Sequence, residues 1–203
     1  MNAPVFLVLA LSALAHAQSL TVTATGPVRA GTTFTATVAI AGTPAVAATN
    51  FTMQLPPGWT INGTPAPGTS ALAAQKLIHC GSGATPICVV YGANRTVIAP
   101  GPIAVFQLSV PMTAAGPTPV SLAGIVGASA AAAAIPLTTL PVSVEILSIY
   151  DLNSDGLVDA VDMQVVLDQI TGAAPCGTAD FTGDGKCDSL DLMKLIMRGV
   201  LGL

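Results

Sequence analysis

Between Asp151 and Asp191 the chain carries one acidic, glycine-punctuated pattern twice at the same spacing, and few local structures can satisfy it. Asp151, Asn153, Asp155, Gly156, Asp159 and Asp162 occupy positions 1, 3, 5, 6, 9 and 12 of a twelve-residue loop. Asp180, Thr182, Asp184, Gly185, Asp188 and Asp191 occupy the same positions of a second loop, 29 residues on (180 minus 151). A hard cation such as calcium takes about six to eight oxygens, and alternating side chains on a coiled loop can supply them, with a backbone carbonyl at position 7 (Leu157, Lys186). The glycine at position 6 permits the sharp turn. Asp, Asn and Gly also crowd ordinary solvated turns, but two copies in register argue for two calcium ions. Without them each loop crowds four aspartates together, so the metal is expected to be part of the fold.

Position 12 is Asp in both loops, where the common calcium sensors place a bidentate Glu and flank the loop with helices on both sides. Here Val142–Tyr150, ahead of the first loop, alternates like a strand and offers no entering helix. A helical pattern follows each loop: Val161, Val165, Val166 and Ile170 after the first, and Leu190, Met193, Ile196, Met197 and Val200 after the second. Loop then helix, twice, with Asp at position 12, resembles the dockerin module of cellulosome-type complexes over roughly residues 148–203. The resemblance implies that both loops bind calcium and that a helix face docks onto a cohesin domain of another protein. Its partner-reading positions map to Ala160, Val161, Leu167 and Asp168, and to Ser189, Leu190, Ile196 and Met197. These are more apolar than the Ser/Thr and Lys/Arg pairs of well-known members, and the two halves differ. Thr182, a neutral and weaker ligand where Asn or Asp is usual, is expected to make the second site bind more weakly or recruit a water.

Charge is segregated to match. Before residue 151 stand Arg29, Lys76, Arg95 and Glu145, a balance of +2; beyond it three basic and nine acidic residues give −6, for the total of −4. No basic stripe is present for nucleic acid. Residues 1–17 read as a secretory signal peptide, with an apolar run from Val5 to Leu14 and a small-x-small site at Ala15-His16-Ala17. That run is too short for a membrane span, which takes about 20 apolar residues. A secreted location, extracellular or at a bacterial cell surface, is expected.

From residue 18 to 147 apolar residues recur at every second position, in runs parted by Gly and Pro. They are Leu20, Val22 and Ala24; Phe34, Ala36, Val38 and Ile40; Phe51, Met53 and Leu55; Ile87, Val89 and Tyr91; Ala104, Phe106, Leu108 and Val110; Val120 and Leu122; and Val142, Val144 and Ile146. Many short strands at this spacing predict a mainly β protein built on an antiparallel, jelly-roll-type β-sandwich, ahead of the small α-helical calcium module. Val28-Arg-Ala-Gly31, Val90-Tyr-Gly-Ala-Asn94 and Ile98-Ala-Pro-Gly-Pro-Ile-Ala104 give the stretch a resemblance to cohesin-like sandwiches, relatives of some carbohydrate-binding modules.

Four cysteines in an exported chain are most simply two disulfides, with three pairings possible. Proximity favours Cys80 with Cys88 and Cys176 with Cys187. The other reading of Cys80 and Cys88, a metal site with His79, lacks a fourth ligand. Trp59, the one tryptophan, is read as a packing residue rather than a sugar platform, since platforms align several aromatics. Asn50, Asn62 and Asn94 each begin an N-x-Thr triplet, near what chance gives in so Thr-rich a chain. The sandwich holds one carboxylate, Glu145, where glycoside hydrolysis ordinarily needs two, and His79 has no acidic neighbour in sequence to orient it. The chain therefore reads as a non-catalytic docking protein of an extracellular polysaccharide-degrading or cell-surface complex. The alternative is a carbohydrate-binding module anchored to such a complex by its tail. Candidate partners are a cohesin-type domain of another protein, a second copy's sandwich, and polysaccharide.

Chelation should separate the two halves. Removing calcium from a 148–203 fragment is expected to collapse its helical circular-dichroism signal, while the strand signal of residues 18–147 persists. A fragment that stays folded in chelator would refute the structural role of the metal.

Overall fold

The computed structural model describes residues 18–202 except 25, 43–44 and 84; the expected signal segment, residues 1–17, lies outside the described residues. The first half of the chain forms β1 (Ser19–Ala24), β2 (Val28–Arg29), β3 (Thr33–Ala41), β4 (Val46–Gln54), β5 (Thr60–Ile61), β6 (Ala66–Pro67), α1 (Thr69–Ala73), β7 (Leu77–Cys80) and β8 (Ile87–Tyr91). Then come β9 (Gly101–Ser109), β10 (Gly116–Ser129), β11 (Ala134–Ile135), β12 (Thr138–Thr139), β13 (Val142–Leu147), α2 (Ala160–Ile170) and α3 (Ser189–Lys194), which runs on into a π-helical turn, Leu195–Val200.

The strands make two sheets, one in the order β12-β1-β3-β9-β5 with β6 also on β9, the other in the order β2-β13-β10-β4-β8-β7 with β11 also on β10. This is the expected sandwich. Pairing is antiparallel except where β1 meets β12 and β13 meets β2, both parallel. Leu20, Val38, Ile40, Phe106 and Leu108 of one sheet face Phe51, Met53, Val90 and Val120 of the other across one core. Phe51 and Phe106 meet edge to face with centroids 6.2 Å apart, and Trp59 meets Phe34 likewise at 5.7 Å. Trp59 is buried, which bears out its reading as a packing residue.

Strand β8 corrects one expectation. Ile87, Val89 and Tyr91 point outward, Ile87 being 60% exposed, and Cys88 and Val90 are the buried pair. Ile-Cys-Val-Val-Tyr is apolar on both faces, so alternation could not choose between them, and a slip of one residue exchanges the faces. Two neighbours decide. Cys88 lies opposite the buried Phe51 of β4 and opposite Cys80 of β7, to which it is disulfide-bonded.

In the tail, Leu190, Met193, Met197 and Val200 of the expected helical pattern are exposed and Ile196 is half-buried, while Leu195, outside that pattern, is fully buried. The loop's last aspartate fixes the inward face, because residues four apart share one side of a helix. Asp162 is thus aligned with the buried Val166, and Asp191 with the buried Leu195. These two residues and Ala179 centre a second small core, edged by Tyr150 and Phe181.

Two features left no periodic signal. Helix α1 is barely one turn, held against β9 where a Cβ on Gly68 would stand 2.4 Å from the Pro102 carbonyl carbon. Lys76 is 1% exposed, its ammonium donating to the backbone oxygen of Asn94 at 2.9 Å and to Asn94 Oδ1 at 2.7 Å. Asn94 Nδ2 donates in turn to the carbonyls of Ala74 and Gln75. Burial pulls the Lys76 amine below its ordinary range, yet these acceptors give the cation partners. Lys76→Ala removes a buried stem and leaves those oxygens short of a donor, so chemical denaturation should show a loss of about 2–4 kcal/mol. A change within experimental error would mean that the contact contributes nothing.

Candidate metal centre

Each loop is wound around its own aspartates. In the first, Asp162 Oδ1 accepts from the amides of Leu152 at 2.7 Å and Asn153 at 3.2 Å, and its Oδ2 accepts from that of Asp159 at 2.9 Å. In the second, Asp191 Oδ1 accepts from Thr182 at 2.9 Å and Oδ2 from Asp188 at 3.0 Å. Asp159 and Asp188 accept in return from Val161 and Leu190, closing a reciprocal capping box at the start of α2 and of α3. Positions 9 and 12 therefore serve twice, as loop acids and as the two halves of a helix cap.

The turn residues behave as the spacing requires. Gly156 and Gly185, at position 6, have φ of +91° and +83°, a region that costs other residues steric strain. Their amides donate to the first aspartate of each loop, Gly156 to Asp151 Oδ2 at 3.0 Å and Gly185 to Asp180 Oδ2 at 2.8 Å. Asn153 Nδ2 donates to Asp155 Oδ2 at 2.7 Å, and the Leu157 and Lys186 amides donate to Asp155 and Asp184 at 2.9 Å. The Gly185 amide, foremost among several donors, holds the Asp180 carboxyl below its ordinary range. For Asp191 burial pushes upward, but the Asp188 and Thr182 amides outweigh it and the net shift is downward. Both groups are prepared as anions.

Among the described residues no three Asp, Glu, His or Cys side chains converge on one point; the loop aspartates accept from the loops' own backbone amides. One oxygen is left over. Asp151 Oδ1 is buried without a hydrogen-bond partner, a costly state for a carboxylate that a cation would relieve. With Asn153, Thr182 and the position 7 carbonyls, the donor set is all oxygen and suits calcium.

The expected partner-reading residues divide. Ala160, Val161, Leu167, Ser189, Leu190 and Met197 are exposed, whereas Asp168, accepting from Gln164 at 2.7 Å, and Ile196 are half-buried. Of the contacts that tie the second loop down, only the Cys176–Cys187 disulfide was expected from the sequence. Gln169 accepts from the amides of Gly177 and Ala179, Lys194 donates to the Phe181 carbonyl, and the Cys176–Cys187 disulfide spans 5.5 Å between Cα atoms.

Residues 149–198 match the Dockerin type I domain, a family that binds calcium. No curated protein matches the chain in sequence. The sandwich shares its fold with a non-cellulosomal cohesin from the hyperthermophilic archaeon Archaeoglobus fulgidus, at TM-score 0.54 and 14% identity, over 65% of this chain and 92% of that one. It is equally similar to a cohesin module from a Clostridium perfringens family 33 glycoside hydrolase, at TM-score 0.55 and 12% identity, over 64% of this chain and 97% of that one. Among the described residues no helix is long and apolar enough to cross a membrane.

A lowered folded pKa contributes stability that is complete above the unfolded value, about 3.9 for Asp, and that fades as pH falls through the folded one. In excess calcium the helical signal of the tail should therefore persist through the ordinary carboxylate range and vanish only below it. Circular dichroism against pH checks this; loss already complete above pH ~5 would contradict it.

Proposed function

We propose that the chain is a non-catalytic, secreted docking protein whose tail binds two calcium ions and engages a cohesin-type domain of another protein in an extracellular polysaccharide-degrading or cell-surface complex. The observation that carries this reading is the exposed apolar face of the tail. Val161 and Leu167 on α2, and Leu190 and Met193 on α3, stand in solvent directly after the loops that would hold the metal. A domain with so small a core has little reason to leave these side chains uncovered, and aliphatic and Met side chains suit a buried partner surface. Calcium then shapes the loops, the capping boxes start the helices, and the helices present the face.

The sandwich exposes an apolar strip of its own, with Leu77 on β7 beside Ile87, Val89 and Tyr91 on β8. A second copy's sandwich is accordingly the other acceptor to test. The glycan-binding alternative loses its named platform, since Trp59 is packed on Phe34.

Biolayer interferometry with the immobilised full chain tests the reading against cohesin-type domains and against its own residues 18–147. Binding is expected in calcium, lost in chelator, and weakened at least ~10-fold by Leu190→Asp, since a buried charge without a partner costs more than 1.4 kcal/mol. Binding that ignores both chelator and Leu190→Asp would exclude this face.

A further inference from the structure

We infer that Arg29, a residue of the sandwich, is a positioning residue of the first metal loop, so that one domain holds the other's loop in its cation-binding shape. The inference rests on the calcium reading above. Strand β13 ends at Leu147 and the loop begins at Asp151, which leaves residues 148–150 as the whole connection. Strand β2 lies parallel on that exit, with Val28 opposite Ile146 and Arg29 opposite Leu147, and the Ala30 amide donates to the Leu147 carbonyl at 2.9 Å. From there the Arg29 guanidinium reaches into the tail. Nη2 donates to Ser154 Oγ at 2.8 Å, and Nη1 to the Ile149 carbonyl at 3.4 Å.

Ser154 is the informative partner. It stands at loop position 4 with φ of +63°, in the left-handed region that favours glycine, and the same position of the second loop holds Gly183 at +76°. A side chain is thus kept where the backbone would be easier without one, and its hydroxyl is the group that Arg29 takes. Asn153 and Asp155, the expected ligands at positions 3 and 5, flank Ser154, so fixing its place fixes theirs. The second loop is tied down within the tail, by Cys176–Cys187 and by Lys194 on the Phe181 carbonyl. The first loop borrows its support from the sandwich.

The sign of the effect distinguishes positioning from charge. Removing a positive group beside a cation site tightens metal binding if charge is all that matters, and loosens it if Arg29 holds the ligands in place. Calcium titration calorimetry on the full chain, with Asp180→Ala silencing the second loop, reads the first loop alone. Adding Arg29→Ala should weaken binding about tenfold, as loss of an outer-shell support does. Ser154→Gly, which removes the hydroxyl, keeps the charge and suits the backbone, should weaken it in the same direction. Amide exchange over residues 149–155 should quicken in both variants, while Trp59 fluorescence reports an intact sandwich. Unchanged or tighter binding in Arg29→Ala, or unchanged exchange, overturns the inference. No calcium uptake in the Asp180→Ala chain would overturn the calcium reading itself, and the inference with it.

Discussion

Two carboxylates, those of Asp162 and Asp191, hold the tail together. Each is fully buried, and each accepts from amides on both sides of its loop, so that one side chain closes the coil and starts the helix. Burying a carboxylate is costly unless its lone pairs are satisfied. Position 12 of the loop is also the third residue of the helix, so each aspartate reaches back to the cap as well as across the loop. The same geometry aims Val166 and Leu195 into the small core and turns Leu190 and Met193 outward.

That coupling explains what could be read from the sequence and what could not. The loops were legible because metal ligation imposes fixed intervals on rare residue types, and the strands because Leu20, Phe34 or Phe106 each fall in runs whose other face is mostly small or polar, Ser and Thr for the first, Thr and Ala for the second, Gln and Ser for the third. Legibility ended where both faces of an element were apolar. Alternation cannot orient Ile87-Cys-Val-Val-Tyr91, and a helix bearing Leu190, Leu192, Met193, Leu195 and Ile196 offers more than one plausible stripe. In both cases tertiary partners settled the matter, Phe51 and a disulfide for the strand, Asp191 for the helix.

Long-range polar contacts lay further beyond reach. Lys76 and Asn94 are 18 residues apart, and Arg29 and Ser154 are 125 apart. Neither pair has a spacing rule that sequence could disclose. The Val28–Gly31 segment drew notice only through its likeness to other sandwiches, yet it places the guanidinium that touches the tail. The last strand ends at Leu147 and the first loop begins at Asp151, and Arg29 joins the two by hydrogen bonds to Ile149 and Ser154 across that short connection.

The gathering of acid in the tail has a colloidal consequence. The chain's formal charge is −4, and two divalent ions would cancel it. Mutual repulsion between molecules, which at neutral pH comes almost wholly from these loops, would then disappear just as the docking face becomes ordered. In a calcium-poor medium the chains would stay apart; in a calcium-rich one they would approach isoelectric conditions without any change of acidity. Calcium would thus govern the spacing of these molecules in bulk as well as the shape of each one.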